Sequence, residues 1–157
     1  MKLSHLDAAG RAQMVDVSGK PPMVRTAVAT GAIRMSQEAF GQVAAHALAK
    51  GDVLAVSEVA GTLAAKRTAE LIPLCHPLGL DHVAVEASLD ESLPGVRVRA
   101  AVRTVARTGV EMEALTAVSV ALLTVYDMAK AADPAMVIAD VHLVEKRKEP
   151  AEGLSGR

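Results

Sequence analysis

Three groups of residues have types and spacing suited to chemistry. The first is Asp127 with Lys130, at the end of an apolar stretch and flanked by Val125, Tyr126 and Met128. At a spacing of i, i+3 they are neighbours on one helix face. The pattern fits an ordinary ion pair near a helix C-terminus and equally an acid/base couple with mutually shifted pKa values. The second group, Glu111 and Glu113, opens the same stretch. The helix dipole alone accounts for acidic residues at that end. Glu113 and Asp127 share a face but lie about 21 Å apart along the axis, so within one helix they cannot act together. Either they belong to different sites, or two copies of the helix meet antiparallel between subunits. The third group is Leu74-Cys75-His76, followed by Pro77. A lone Cys beside a His is a weak signal for thiol catalysis, and a buried structural Cys is commoner. His76, held in a stiff loop, is better suited to ligand binding or proton transfer, or simply to satisfying backbone groups. Metal binding by His76 with His82 lacks ligand spacing.

Cations stand near these groups in sequence. Lys50 precedes Gly51-Asp52, and Lys66-Arg67 precedes the Cys75 loop. As isolated residues they read as solvated surface charges. The chain has neither GxxxxGK[ST] nor GxGxxG. A phosphate ligand must therefore be held by Lys, Arg and His side chains or by helix ends.

The elements that must position these groups follow from periodicity. Val24 to Met35 alternates as a strand. Ser36 is a helix N-cap, and Phe40, Val43, Ala44, Ala47 and Leu48 form one buried face that stops at Gly51. Asp52 caps a second helix whose predicted inner face is Val56, Val59, Ala60, Leu63, Ala64 and Arg67. A proline-punctuated loop covers 71–80. Val83 to Leu89 and Val96 to Val102 form a hairpin, apolar on one side, with Arg97, Arg99 and Arg103 on the other. A long helix spans 110–131 and a last strand runs from Met136 to Val144. The order β-α(α)-β-β-α-β is an α+β, ferredoxin-like arrangement with an extra helix in its first crossover. It predicts an antiparallel sheet with helices packed on one face.

With 157 residues, 51% hydrophobic and 22% charged, the chain is expected to form a single domain over 1–157. Residues 1–22 read as an N-terminal arm and 147–157 as a disordered tail within the Lys/Glu/Gly/Ser-rich end that begins at Glu145. Phe40 and Tyr126 are the only aromatic residues and the net charge is −1, so nucleic acid is not an expected partner. A single cysteine excludes an intrachain disulfide and any multi-cysteine metal site. No leader pattern and no uncharged apolar run of membrane-spanning length is evident, so a cytoplasmic protein without membrane contact is expected.

Six blocks in order carry a more specific signal. They are Met14-Val15-Asp16-Val17-Ser18, Lys50-Gly51-Asp52-Val53, Ala64-Ala65-Lys66-Arg67-Thr68, Leu71-Ile72-Pro73-Leu74-Cys75-His76-Pro77-Leu78, Thr108-Gly109-Val110-Glu111-Met112-Glu113-Ala114-Leu115-Thr116, and Tyr126-Asp127-Met128 with Lys130. Together they closely resemble the cyclic pyranopterin monophosphate synthase family, molybdenum cofactor biosynthesis protein C, over about residues 4–146. The chain departs from the family only in the proline-containing stretch after Lys20 and in the short tail.

The resemblance implies a lyase that converts 3′,8-cyclo-7,8-dihydroguanosine 5′-triphosphate to cyclic pyranopterin monophosphate with release of diphosphate. It implies a ferredoxin-like fold and a homohexamer, a trimer of dimers with active sites at a dimer interface. Position by position, the family's substrate-binding stretches fall on Leu74, Cys75 and His76 and on Met112 and Glu113. Its catalytic aspartate falls on Asp127 and the nearby lysine on Lys130. Lys50, Lys66, Arg67 and Glu111 match further site positions. No resident cofactor or protein-bound metal is expected, with Mg²⁺ a candidate companion of the triphosphate. On this reading Lys130 is the principal acid/base group, its pKa lowered by burial and neighbouring cations. Asp127 orients it or shares the proton, and Glu113 and His76 hold the base. Two rival readings are a sensor of an anionic metabolite and a nucleic-acid binder using the arginine hairpin.

Overall fold

The computed structural model describes residues 9–151. The elements are β1 (Met23–Arg34), α1 (Gln37–Ala44), α2 (Val53–Lys66), α3 (Thr68–Leu71), β2 (His82–Asp90), β3 (Gly95–Ala106), α4 (Glu111–Ala129) and β4 (Val137–Pro150). The sheet order is β2-β3-β1-β4 and every neighbouring pair is antiparallel. This is the α+β order expected from the sequence, with the single turn α3 added before the proline loop.

Alternation in the hairpin does what it predicts. Val96, Val98, Ala100 and Val102 are fully buried, while Arg97, Arg99 and Arg103 are exposed. Towards α4, β1 presents Ala27, Ala29 and Gly31 before the larger Ile33. A Cβ at Gly31 would stand 2.9 Å from Leu122 and Val118, so α4 rests almost directly on the β1 backbone. Val118, Ala121, Leu122 and Val125 fill the space between. By length and composition α4 is apolar enough to cross a membrane, but half of it is buried in this core.

The inner face of α2 differs from expectation. Val53, Ser57, Gly61, Ala64 and Ala65 face inward, whereas Val56, Val59 and Leu63 are exposed. The reason is the closeness of α2 to α4: a Cβ at Gly61 would stand 2.9 Å from the Ala117 carbonyl oxygen. Small residues win the contact because they let the backbones approach, and the bulky residues are turned outward. Gly61→Val is expected to cost about 1–3 kcal/mol through overpacking, read as a lower denaturant midpoint at unchanged slope.

Two boundaries also differ. Helix α1 ends at Ala44, before Ala47 and Leu48, because His46 takes a left-handed conformation (φ 52°) and terminates it ahead of Gly51 (φ 91°). Lys50 thus sits on an irregular loop. Strand β4 continues past Val144 to Pro150, since its backbone pairs with β1 as far as Met23↔Pro150. Residues 147–150 of the expected tail are therefore strand. Residues 152–157, and 1–8 of the arm, lie outside the described residues.

Candidate active site

The C-terminal end of α4 gathers three of the expected residues. The Lys50 ammonium donates to Asp127 Oδ2 at 2.7 Å and to the Asp127 carbonyl at 2.8 Å. Lys130 Nζ donates to Asp127 Oδ1 at 2.7 Å. The hydrogen bonds from Lys130 and then Lys50 hold the Asp127 carboxyl down at about 2. In return Asp127 raises the pKa of Lys130. This corrects the expectation of a lysine depressed by burial and other cations. Lys130 is about half exposed, and its closest charged neighbour is a carboxylate rather than another cation. It therefore stands as an ammonium fit to bind phosphate oxygens, and while Asp127 holds it, it is a weaker acid than a free lysine.

The N-terminal end of α4 borders a cavity of about 390 Å³. Leu74, Cys75 and His76 form one wall, Thr108, Gly109, Glu111 and Met112 another. Val15, Val17 and Lys20 of the arm form the third, so the arm covers part of the cavity. His76 Nε2 lies 2.8 Å from the Val15 carbonyl oxygen. A carbonyl only accepts, so Nε2 carries the proton of that bond and fixes the ring against the arm.

Cys75 Sγ donates to Glu113 Oε1 at 3.6 Å. Burial, and then the nearby Glu113 charge, push the Cys75 thiol up to about 11. At neutral pH it is a thiol and not a nucleophile. Alkylation of Cys75 by iodoacetamide at pH 7.5 is expected to run about two orders of magnitude slower than that of a free cysteine. Timed mass spectrometry of the folded protein reads that rate.

Glu113 is only 3% exposed and its Oε2 has no hydrogen-bond partner. Burial, more than the adjacent Glu111 charge, raises its pKa. A carboxyl oxygen kept dry and unpartnered is costly, and such groups concentrate where ligands bind. Glu111 is instead paired, with Lys146 of β4. Its carboxylate folds over Gly109, where any side chain would collide with it. The dipole accounts for neither arrangement.

Lys66 and Arg67 border a separate, smaller cavity of about 130 Å³ whose wall includes Glu113. They sit where α2 passes into α3, and both are exposed. Thus Leu74, Cys75, His76, Glu111 and Met112 share one cavity, and Glu113 borders the second with Lys66 and Arg67. Lys50, Asp127 and Lys130 are at the other end of α4, about 21 Å from Glu113 along its axis. Among the described residues no three His, Cys, Asp or Glu side chains converge as a metal site.

Residues 14–149 match the family model described as the MoaC family. The chain belongs to the MoaC family. Relatives agree along nearly the whole length. A protein of Roseiflexus sp. is 58% identical over 144 residues, covering 92% of this chain and 91% of the relative. Proteins of Brucella ovis and Brucella canis are each 56% identical over 145 residues, covering 92% of this chain and 88% of the relative. Each is named cyclic pyranopterin monophosphate synthase.

The MoaC match contains every residue singled out at both ends of α4. Reasoning from residue types missed Val15, Val17, Lys20 and Lys146 as neighbours of the site. The Met14–Ser18 block marked the arm as part of the family pattern without saying what it touches. Lys146 gave no local signal, because its partner Glu111 is brought near only by the packing of β4 beside α4.

Proposed function

We propose that this chain converts 3′,8-cyclo-7,8-dihydroguanosine 5′-triphosphate to cyclic pyranopterin monophosphate and diphosphate, a lyase step of molybdenum cofactor biosynthesis. The observation that carries the reading is the Asp127 carboxylate held between the Lys50 and Lys130 ammonium groups. The substrate brings about four negative charges, which ammonium and guanidinium groups neutralise. Lys50 and Lys130 supply this at one end of α4, and Lys66 and Arg67 near the other. Forming the product requires opening and reclosing the ring skeleton. A substrate oxygen then attacks the inner phosphorus, and the bond to the leaving diphosphate breaks. Each step moves a proton. Lys130 begins as the donor, and Asp127, freed when phosphate oxygens draw the ammonium groups away, becomes the acceptor. The unpartnered Glu113 oxygen accepts from ring N–H groups of the base, and His76 orients it. A Mg²⁺ ion would accompany the triphosphate as part of the substrate, not as a resident of the protein.

The distance between the ends of α4 supports an assembly in which one protomer's Asp127 group faces a partner's Glu113 cavity. A homohexamer built as a trimer of dimers, with sites at the dimer interface, provides that geometry. The protein works in the cytoplasm on a small nucleotide-derived substrate, with neither nucleic acid nor membrane as partner. The test is direct: supply the cyclised triphosphate, follow pterin and diphosphate formation, and weigh the assembly. Product from a hexamer supports the reading. Ligand binding by a folded hexamer with no product would replace it with a metabolite sensor.

A further inference from the structure

The two lysines on Asp127 come from segments far apart in sequence, and their spacing has to be set by something else. Lys130 is the C-cap of α4, and the chain then turns tightly, with the Ala132 and Asp133 amides donating to the Ala129 carbonyl at 2.8 and 3.2 Å. Lys50 follows α1 on the irregular loop after Ala44. We propose that Asp133 is a positioning residue that ties the Lys130 turn to the start of α1 and so fixes the geometry of both ammonium groups on Asp127.

The argument starts at Ser36, the N-cap of α1. Its Oγ accepts from the Ala39 amide at 3.2 Å, the ordinary capping bond. In a capping box the N-cap residue's own amide is taken by a Glu or Gln at N3. Here N3 is Ala39, which has no acceptor side chain. Asp133 Oδ2, from the far end of α4, accepts that amide instead at 2.7 Å. Its other oxygen, Oδ1, accepts from the Ala135 amide at 2.9 Å and holds the turn closed. One carboxylate therefore completes the cap of α1 and shapes the turn beyond Lys130. Tyr126 adds a second tie, its hydroxyl donating to the Pro134 carbonyl at 2.9 Å. Misplacing a reacting group by about 1 Å can cost about 10²-fold in rate, so a residue that only holds this turn has leverage on catalysis.

The inference rests on the reading of Asp127, Lys130 and Lys50 as the reacting groups, and its test separates the two. Asp133→Ala is compared with Ser36→Ala, which strips the same helix start of its capping hydroxyl but leaves the Ser36 amide on Asp133. Both variants are expected to lose thermal stability. Asp133→Ala is expected to lose about 30-fold in kcat with KM within about threefold, and Ser36→Ala to keep kcat within about twofold. Asp133→Asn, with one acceptor oxygen, falls between and decides the matter if the alanine variant does not fold. A second readout needs no substrate: competitive acetylation by acetic anhydride, mapped by mass spectrometry. Labelling of Lys130 relative to Lys148 should rise at least threefold in Asp133→Ala, or in the asparagine variant if the alanine variant does not fold, and stay level in Ser36→Ala. Equal kcat losses in the two variants, or unchanged Lys130 labelling in the Asp133 variant, overturn the inference. A wild type without turnover overturns the reaction assignment alone, and the labelling then decides the role of Asp133.

Discussion

Asp127→Ala and Lys130→Ala are each expected to lower kcat by about 10³-fold while leaving the assembly intact. Loss of a positioned acid or base typically costs 10²- to 10⁴-fold, and each of these changes also disturbs the partner group. Without Asp127, the Lys50 and Lys130 ammonium groups lose the carboxylate both contact. Without Lys130, Asp127 keeps Lys50 but the transferable proton is gone. All of these side chains are half exposed, so thermal stability should barely change. The charge states also fix the pH dependence. The carboxyl of Asp127 is held at about 2, so its contribution to stability is complete above the usual carboxylate range, declines as pH falls through that range, and is gone below about 2. Lys130 is raised, so its contribution is complete at neutral pH and is lost as pH rises through its elevated pKa. Turnover measured from pH 6 to 9 should therefore show no step from either group in the free enzyme. Near-normal turnover in either intact variant would remove these residues from the chemistry.

Glu113 is expected to couple stability and activity in opposite directions. Its folded pKa is raised, so the folded state holds the proton more tightly than the unfolded state does. Stability from this group therefore falls as pH rises from about 4.3, the unfolded value, through the raised folded one, and stays reduced above it. Glu113→Met removes the dry carboxyl and the unpartnered Oε2. It should gain about 1–2 kcal/mol at pH 7 and little at pH 4, measured by denaturant unfolding at both. The same variant should lose about 10- to 100-fold in kcat/KM, the effect of one hydrogen bond to a charged group. Glu113→Gln should lose activity too, which separates charge from shape. A Glu113→Met protein less stable at pH 7 would mean that the carboxyl is a structural partner after all. The expected trade is the usual mark of a group kept for function against the interest of the fold.

The sheet, the hairpin and α4 were legible because their patterns are strong and their neighbours agree with them. Alternation from Val96 to Val102 can bury one face only, and the apolar run after Glu113 is too long for a typical strand and fits a helix. The inner face of α2 was not legible: its bulky residues point outward because the contact with Ala117 needs a glycine. Nothing local marks that contact. The end of α1 turns on a left-handed histidine, a conformation several residue types adopt. At the two ends of α4, the residues that cluster there could be named from the ordered motif blocks and from residue types. Charge states were not. The pKa of Lys130 depends on Asp127, which sequence places beside it, but the carboxyl of Asp127 also depends on Lys50, 77 residues away. Burial of Glu113 follows from packing, whereas its position at a helix start suggests exposure.

Helix α4 carries the Glu113 carboxyl at one end and the Asp127–Lys130 pair at the other, and joins them without a flexible link. A helix of this kind is intolerant of changes in length in a way that it is not of changes in side chain. One inserted residue lengthens it by about 1.5 Å and turns everything beyond by about 100°. Such an insertion between Glu113 and Asp127 would swing Asp127 away from Lys50 and carry the turn holding Asp133 away from Ser36. It would also pull Val118, Leu122 and Val125 out of register with the sheet. A buried valine trimmed to alanine weakens the fold locally, but a single added residue disconnects the two ends from each other. Length, more than composition, is what this helix has to keep.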